Sequence, residues 1–168
     1  MAREPRLELV ANLGVNGFTS GDLIEVELPR LDGLRPDFLS VLIGVNDVVQ
    51  GVPAAVYGAN VADILSAVVD RVGAGRAVVV TTPDYTVTPS GAEYGDPRQQ
   101  AAGIRENNGI ITAAADARGI AVVDIHDISL EAAMDRSLVA GDGLHPSGAQ
   151  YARWVDRIRP AIEVLLVD

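Results

Sequence analysis

Apolar and polar positions along the 168-residue chain alternate between two patterns. Short, mostly apolar runs occur at residues 7–11 (LELVA), 38–43 (FLSVLI), 77–82 (AVVVTT) and 120–125 (IAVVDI). Runs of this length, bounded by turn residues, read as buried strands. Between them the apolar period becomes helical. Over residues 54–72, Val56, Val61, Ile64, Leu65, Val68, Val69 and Val72 share one face, and Gly73 and Gly75 end the helix. Pro97 suits the first turn of a helix running to about Arg118, with Gly119 after it. Residues 22–28 predict one or two helical turns, capped by Ser20 and stopped near Pro29. A short helix is expected over residues 129–135. A last one is expected from Ser147 to the end, bent at Pro160. Residues 84–96 and 137–146 lack periodicity and read as loops.

Strands separated by helices imply a parallel sheet covered on both faces, a three-layer α/β/α arrangement of flavodoxin-like type. Ligand sites in such sheets lie at the carboxyl ends of the strands. That rule selects four loops: residues 12–20, 44–51, 83–96 and the chain from His126 onward. No repeat, low-complexity tract or linker divides the sequence, and its length suits one domain.

Composition removes several chemistries. The chain has no cysteine, which excludes disulfides, thiolate metal sites and a Cys nucleophile. All 13 basic residues are arginine, so Schiff-base chemistry and a P-loop lysine are excluded as well. The formal charge of −10 opposes binding to a nucleic-acid backbone, so no nucleic-acid partner is expected. The charged start MAREPRLELV does not resemble a signal peptide, and no apolar run is long enough to span a bilayer. The sequence therefore reads as cytoplasmic and without a membrane anchor; it leaves the oligomeric state open.

Three constellations can carry chemistry. His145 lies in GDGLHPSG, three residues after Asp142. A carboxylate at that spacing can fix the imidazole tautomer and stabilise the imidazolium formed in proton transfer. Asp142-Gly143 is equally an ordinary turn, and Pro146-Ser147 an ordinary helix start. Asn46, in GVND after the run FLSVLI, can aim a neutral amide donor at an oxyanion; Asn-Asp is also a common turn. Gly17, in NLGVNG after the first run, can offer an unobstructed backbone N–H, though Asn-Gly is also a frequent turn dipeptide. The other histidine, His126, reads as a structural loop residue at a strand end.

The order and placement of Gly17, Asn46, Asp142 and His145 resemble the SGNH (GDSL-type) hydrolase family over nearly the whole chain. The resemblance implies that Gly17 and Asn46 complete an oxyanion hole, that His145 is the general base and that Asp142 orients it. It implies no metal and no organic cofactor. One block departs from the family pattern. The family opens with a strand followed by Gly-Asp-Ser, whose Ser is the nucleophile, and no Gly-Asp-Ser occurs here. None of the seven serines, at 20, 40, 66, 90, 129, 137 and 147, replaces it convincingly; Ser20 is the closest in sequence. In the family that opening strand is internal to the sheet, between the strands matching residues 7–11 and 38–43. The first internal strand is thus expected to be missing, with the chain N-terminally incomplete, Met1 an internal start, and residues 1–10 the end of a helix plus the second strand.

Three functions follow. The first is a serine ester hydrolase acting through an acyl-enzyme, with its Ser upstream of this chain. Its substrates would be small esters: short or medium acyl esters, lipids or acetylated sugars; Tyr85 and Tyr94 in the loop 84–96 either line the acyl or alcohol pocket or, equally, only pack the loop. The second is a catalytically inactive SGNH-like binding module. The third, an unrelated phosphate- or nucleotide-binding module, is disfavoured because the early loop has neither GxGxxG nor GxxxxGKS.

Overall fold

The computed structural model describes residues 7–166; the expected helix end within residues 1–6 lies outside them. Three strands, β1 (Leu39–Val41), β2 (Ala77–Val80) and β3 (Ala121–Val123), form a parallel sheet in the order β1-β2-β3. Leu39 pairs with Ala77 and Val41 with Val79; Val78 pairs with Ala121 and Val80 with Val123. Connecting and flanking helices are α1 (Val45–Val49), α2 (Ala54–Val72), α3 (Pro97–Asp116), α4 (His126–Leu130) and α5 (Gly148–Leu165).

The central strand shows why the sheet has three layers. All four residues of β2 are buried, so both of its faces must be covered. Ala77 and Val79 pack into a core with Tyr57, Val61, Ile64, Leu65 and Val68 of α2 and Ile111 and Ala115 of α3. Val78 and Val80 pack on the opposite face with Ile125, Ile128 of α4 and Trp154 of α5. Each such aliphatic side chain contributes about 1.5–3 kcal/mol by leaving water. Asp96 caps α3 by accepting from the amides of Arg98 and Gln99, with Pro97 in the first turn, where its missing N–H costs nothing. The last helix is capped by Ser147 and continues through Pro160.

Four sequence expectations are corrected. Residues 7–11 form no strand, and Leu9 is 80% exposed. A strand is held by inter-strand hydrogen bonds, and β1 has no partner other than β2 among the described residues. Residues 44–51 are not a plain loop, because α1 sits within them. The helical stretch around residues 22–28 extends from Ser20 to Leu34 in short α, π and 3-10 pieces, and Pro29 begins a new turn instead of ending the helix. The short helix expected at residues 129–135 begins earlier, at His126, and continues as a 3-10 turn over Glu131–Ala133.

Candidate active site

The first half of the site is built where β1 ends. Gly44 adopts φ +127°, a conformation that turns the chain from the strand into α1. Buried side chains lock that turn: Tyr57 Oη donates to Ile43 O (3.0 Å) and Asn107 Nδ2 donates to Gly44 O (3.1 Å). The phenol of Tyr57 is pushed well above its usual range by burial, and further by the Asp47 carboxylate, so it remains a donor. Helix α1 then presents Asn46 to the loop that carries Gly17. Asn46 Nδ2 donates to Phe18 O at 3.0 Å, which orients the amide and occupies one of its two N–H groups. Gly17 has φ +86°, and no atom lies within 4 Å of where a Cβ would stand. The two residues expected to hold an oxyanion are thus brought together.

Ser20 does not cap a helix. The cap is Thr19, whose side chain accepts from Asp22 N, while Asp22 accepts from Thr19 N (2.8 Å) in return. Ser20 is fully buried, and its hydroxyl donates to Asp47 Oδ1. It is unavailable as a nucleophile.

The second half is the turn holding Asp142 and His145. His145 Nδ1 lies 2.6 Å from Asp142 Oδ2. The other carboxylate oxygen accepts from the amides of Leu144 (2.9 Å) and His145 (3.0 Å). These two amides and the imidazole hold the Asp142 carboxyl down at about 2, so it is charged at any ordinary pH. The base of the turn is closed by an antiparallel bridge between Val139 and Pro146 and by the bond from Ala140 N to His145 O at 2.7 Å. Its tip is tied to the long loop leaving β2, because Ser90 N donates to Gly143 O at 2.9 Å. Gly143 takes φ +74° and lies against Ser90, where a Cβ would stand 3.1 Å from Ser90 Oγ. Asn46 therefore follows the carboxyl end of β1 directly, whereas Gly17 sits on a loop that no strand precedes among the described residues, and the Asp142–His145 turn follows the helical pieces after β3. No hydrogen bond among the described residues joins Gly17 or Asn46 to the Asp142–His145 turn.

Other expectations fare differently. His126 begins α4 and does not lie in a loop; its Nε2 is 3.7 Å from Asp84 Oδ2, too long for a hydrogen bond. Tyr85 and Tyr94 stack edge to face at 5.9 Å, and Tyr85 Oη donates to Gln100 Oε1 (2.6 Å). Burial, with the charge of Asp84, pushes the Tyr85 phenol up to about 12. Neither tyrosine lines either of two surface cavities, of about 590 and 360 Å³. Sequence reasoning missed Asn107 and Asn108. Asn108 accepts from Thr82 N and Oγ1 and donates back to Thr82 O, tying down the end of β2 as Asn107 does that of β1. The available signal was two amides interrupting the apolar face between Ile104 and Ile111. Among the described residues no group of three or more Asp, Glu or His side chains converges as a metal site would require, and no helix is long and apolar enough to cross a membrane.

Comparison with known proteins bears on the family and the fold. Residues 1–153 match the model of the GDSL-like lipase/acylhydrolase family. No curated protein matches the chain. Among solved structures, a lipase/acylhydrolase from Enterococcus faecalis superimposes with a TM-score of 0.67 at 20% identity, over 89% of this chain and 73% of that one. LAE5, an alpha/beta hydrolase from the metagenome of Lake Arreo, Spain, gives 0.69 at 20% identity over 90% and 71%. Axe2, an acetylxylan esterase from Geobacillus stearothermophilus, gives 0.68 at 20% identity over 87% and 68%. These structures share the fold seen here, and the family match spans the loops that hold Gly17, Asn46, Asp142 and His145, so the chain belongs to the GDSL-like lipase/acylhydrolase family.

Proposed function

We propose that this chain carries the base and oxyanion machinery of a serine ester hydrolase, and that a Ser upstream of it supplies the nucleophile. The observation that carries the reading is the 2.6 Å contact between His145 Nδ1 and Asp142 Oδ2, which leaves Nε2 as the ring nitrogen not engaged by Asp142. In this scheme the Ser hydroxyl adds to the ester carbonyl and passes its proton to His145 Nε2. Asp142 stabilises the imidazolium, and the Gly17 N–H and Asn46 amide take the oxyanion. Collapse returns the proton to the departing alcohol and leaves an acyl-enzyme. Water, deprotonated by His145, then releases the acid. The substrates are small esters with short or medium acyl chains; family membership keeps lipids in view, and the fold shared with Axe2 does the same for acetylated sugars.

The free edge of β1 supports the placement of the nucleophile. Among the described residues the strand is paired on one side only, and Leu42 just beyond it is 41% exposed. An added parallel strand would satisfy that edge and deliver its carboxyl end beside Asn46. The test is the coding sequence upstream of the Met1 codon, read in frame. An apolar strand followed by Gly-Asp-Ser is expected, and the longer polypeptide should be labelled at that Ser by a fluorophosphonate. A nearby stop codon with no such block would favour the second reading, a catalytically inactive SGNH-like binding module. The observation favouring that module is that no serine hydroxyl among the described residues contacts His145.

A further inference from the structure

Helix α1 spans only five residues, yet its side chains and that of its C-terminal neighbour grip one loop at three points. Gln50 Nε2 donates to Gly17 O (2.8 Å) and Asn46 Nδ2 to Phe18 O (3.0 Å). Between them, Asp47 takes Ser20 with both oxygens: Oδ2 accepts from Ser20 N (2.9 Å) and Oδ1 from Ser20 Oγ (2.5 Å). Asn60 of α2 closes the cluster by donating from Nδ2 to Ser20 Oγ at 2.9 Å. Asp47 and Ser20 are both entirely buried, and no cation pairs with Asp47 among the described residues. A carboxylate taken out of water without a counter-charge is costly, and here only one N–H and one O–H compensate it. Both come from the loop that carries Gly17.

We infer that Asp47 is a positioning residue: through Ser20 it holds the Gly17–Phe18 backbone against Asn46, so that the two oxyanion donors keep one geometry before substrate arrives. The inference rests on the proposed hydrolase reading for its catalytic consequence, and on geometry alone for the grip itself. Preorganised donors stabilise the charge that develops in the transition state and contribute little to ground-state binding. Loss of the grip should therefore lower kcat and spare KM.

Two variants separate this role from ordinary anchoring. Asp47→Asn keeps the side-chain volume and one acceptor oxygen; Ser20→Ala removes only the hydroxyl contacts. The first arm uses the chain as it stands and follows amide hydrogen exchange by NMR. Exchange at Phe18 should rise tenfold or more and the Asn46 side-chain amide signals should shift, while amides of β2 stay protected. Unchanged Phe18 exchange and unchanged Asn46 signals would overturn the inference. The second arm uses the longer polypeptide bearing the nucleophilic Ser. There kcat for an activated ester should fall tenfold or more, with KM within twofold. A lower melting temperature with unaltered kcat would make Asp47 a fold anchor only. Absence of turnover in the unsubstituted protein would reject the hydrolase reading itself, and the exchange arm would then decide the grip alone.

Discussion

His145 and Asp142 are three residues apart and joined at 2.6 Å between Nδ1 and Oδ2, while the second carboxylate oxygen is held by two backbone amides of the same turn. The carboxylate therefore cannot swing away without breaking three bonds. Both side chains are about half exposed, so the pair contributes little to global stability. In the proposed reaction its role is local: to fix the tautomer of one imidazole.

That exposure sets the first prediction. His145→Ala and Asp142→Asn should each leave the melting temperature within a few degrees of the parent, because surface changes of this kind shift stability by about 0.5 kcal/mol or less. In the proposed longer polypeptide with an upstream nucleophilic Ser, both should lower kcat by about 10³-fold or more. Steady-state kinetics beside a thermal melt checks the two together.

The depressed Asp142 carboxyl makes a pH prediction. A group whose folded pKa lies below its unfolded value stabilises the turn above the ordinary carboxylate range, and that contribution disappears as pH falls towards the folded value. The order of the turn should hold down to about pH 4 and fade as pH approaches 2. Carbon-detected NMR of the Asp142 carboxyl should show a midpoint near the lower end. A midpoint near 4 would mean that the two amide bonds do not form.

If Asn46 is an oxyanion donor as proposed, Asn46→Ala should cost about 10²–10³ in kcat. Because Asn46 Nδ2 also holds Phe18 O, some loop order should be lost as well. Asn46→Asp would keep the size but place a negative charge where the oxyanion forms, and should be at least as damaging as alanine.

Gly44→Ala should destabilise the fold by about 2–5 kcal/mol, combining an unfavourable backbone conformation with overpacking. A Cβ there would stand 2.6 Å from Tyr57 Oη, inside the core. Tyr57→Phe removes that oxygen and should lessen the penalty in the double variant, a coupling measurable by chemical denaturation.

The recognition of the site from sequence was uneven for physical reasons. Gly17, Asn46, Asp142 and His145 could be singled out as candidates because each belongs to a compact local string, NLGVNG, GVND or GDGLHPSG. The strands were legible as short continuous apolar runs, and the long helices because buried positions keep their period over many residues. Helix α1 was not, since five residues are too few to show a period. The grip of Asp47 on Ser20 was hidden because it spans 27 positions, and short polar residues look alike whether they cap, turn or clamp. Residues 7–11 were misread for a related reason. Their apolar character suits a strand, but strand formation needs a neighbour that composition cannot supply.

The central claim is ester hydrolysis through His145, and a burst experiment tests it most directly. The polypeptide extended upstream of Met1 would be mixed with excess p-nitrophenyl acetate and the release of p-nitrophenol followed in the first seconds. A burst of about one equivalent per chain, absent in His145→Ala, is the expected result. No burst and no turnover from that polypeptide, or turnover unchanged by His145→Ala, would contradict the assignment.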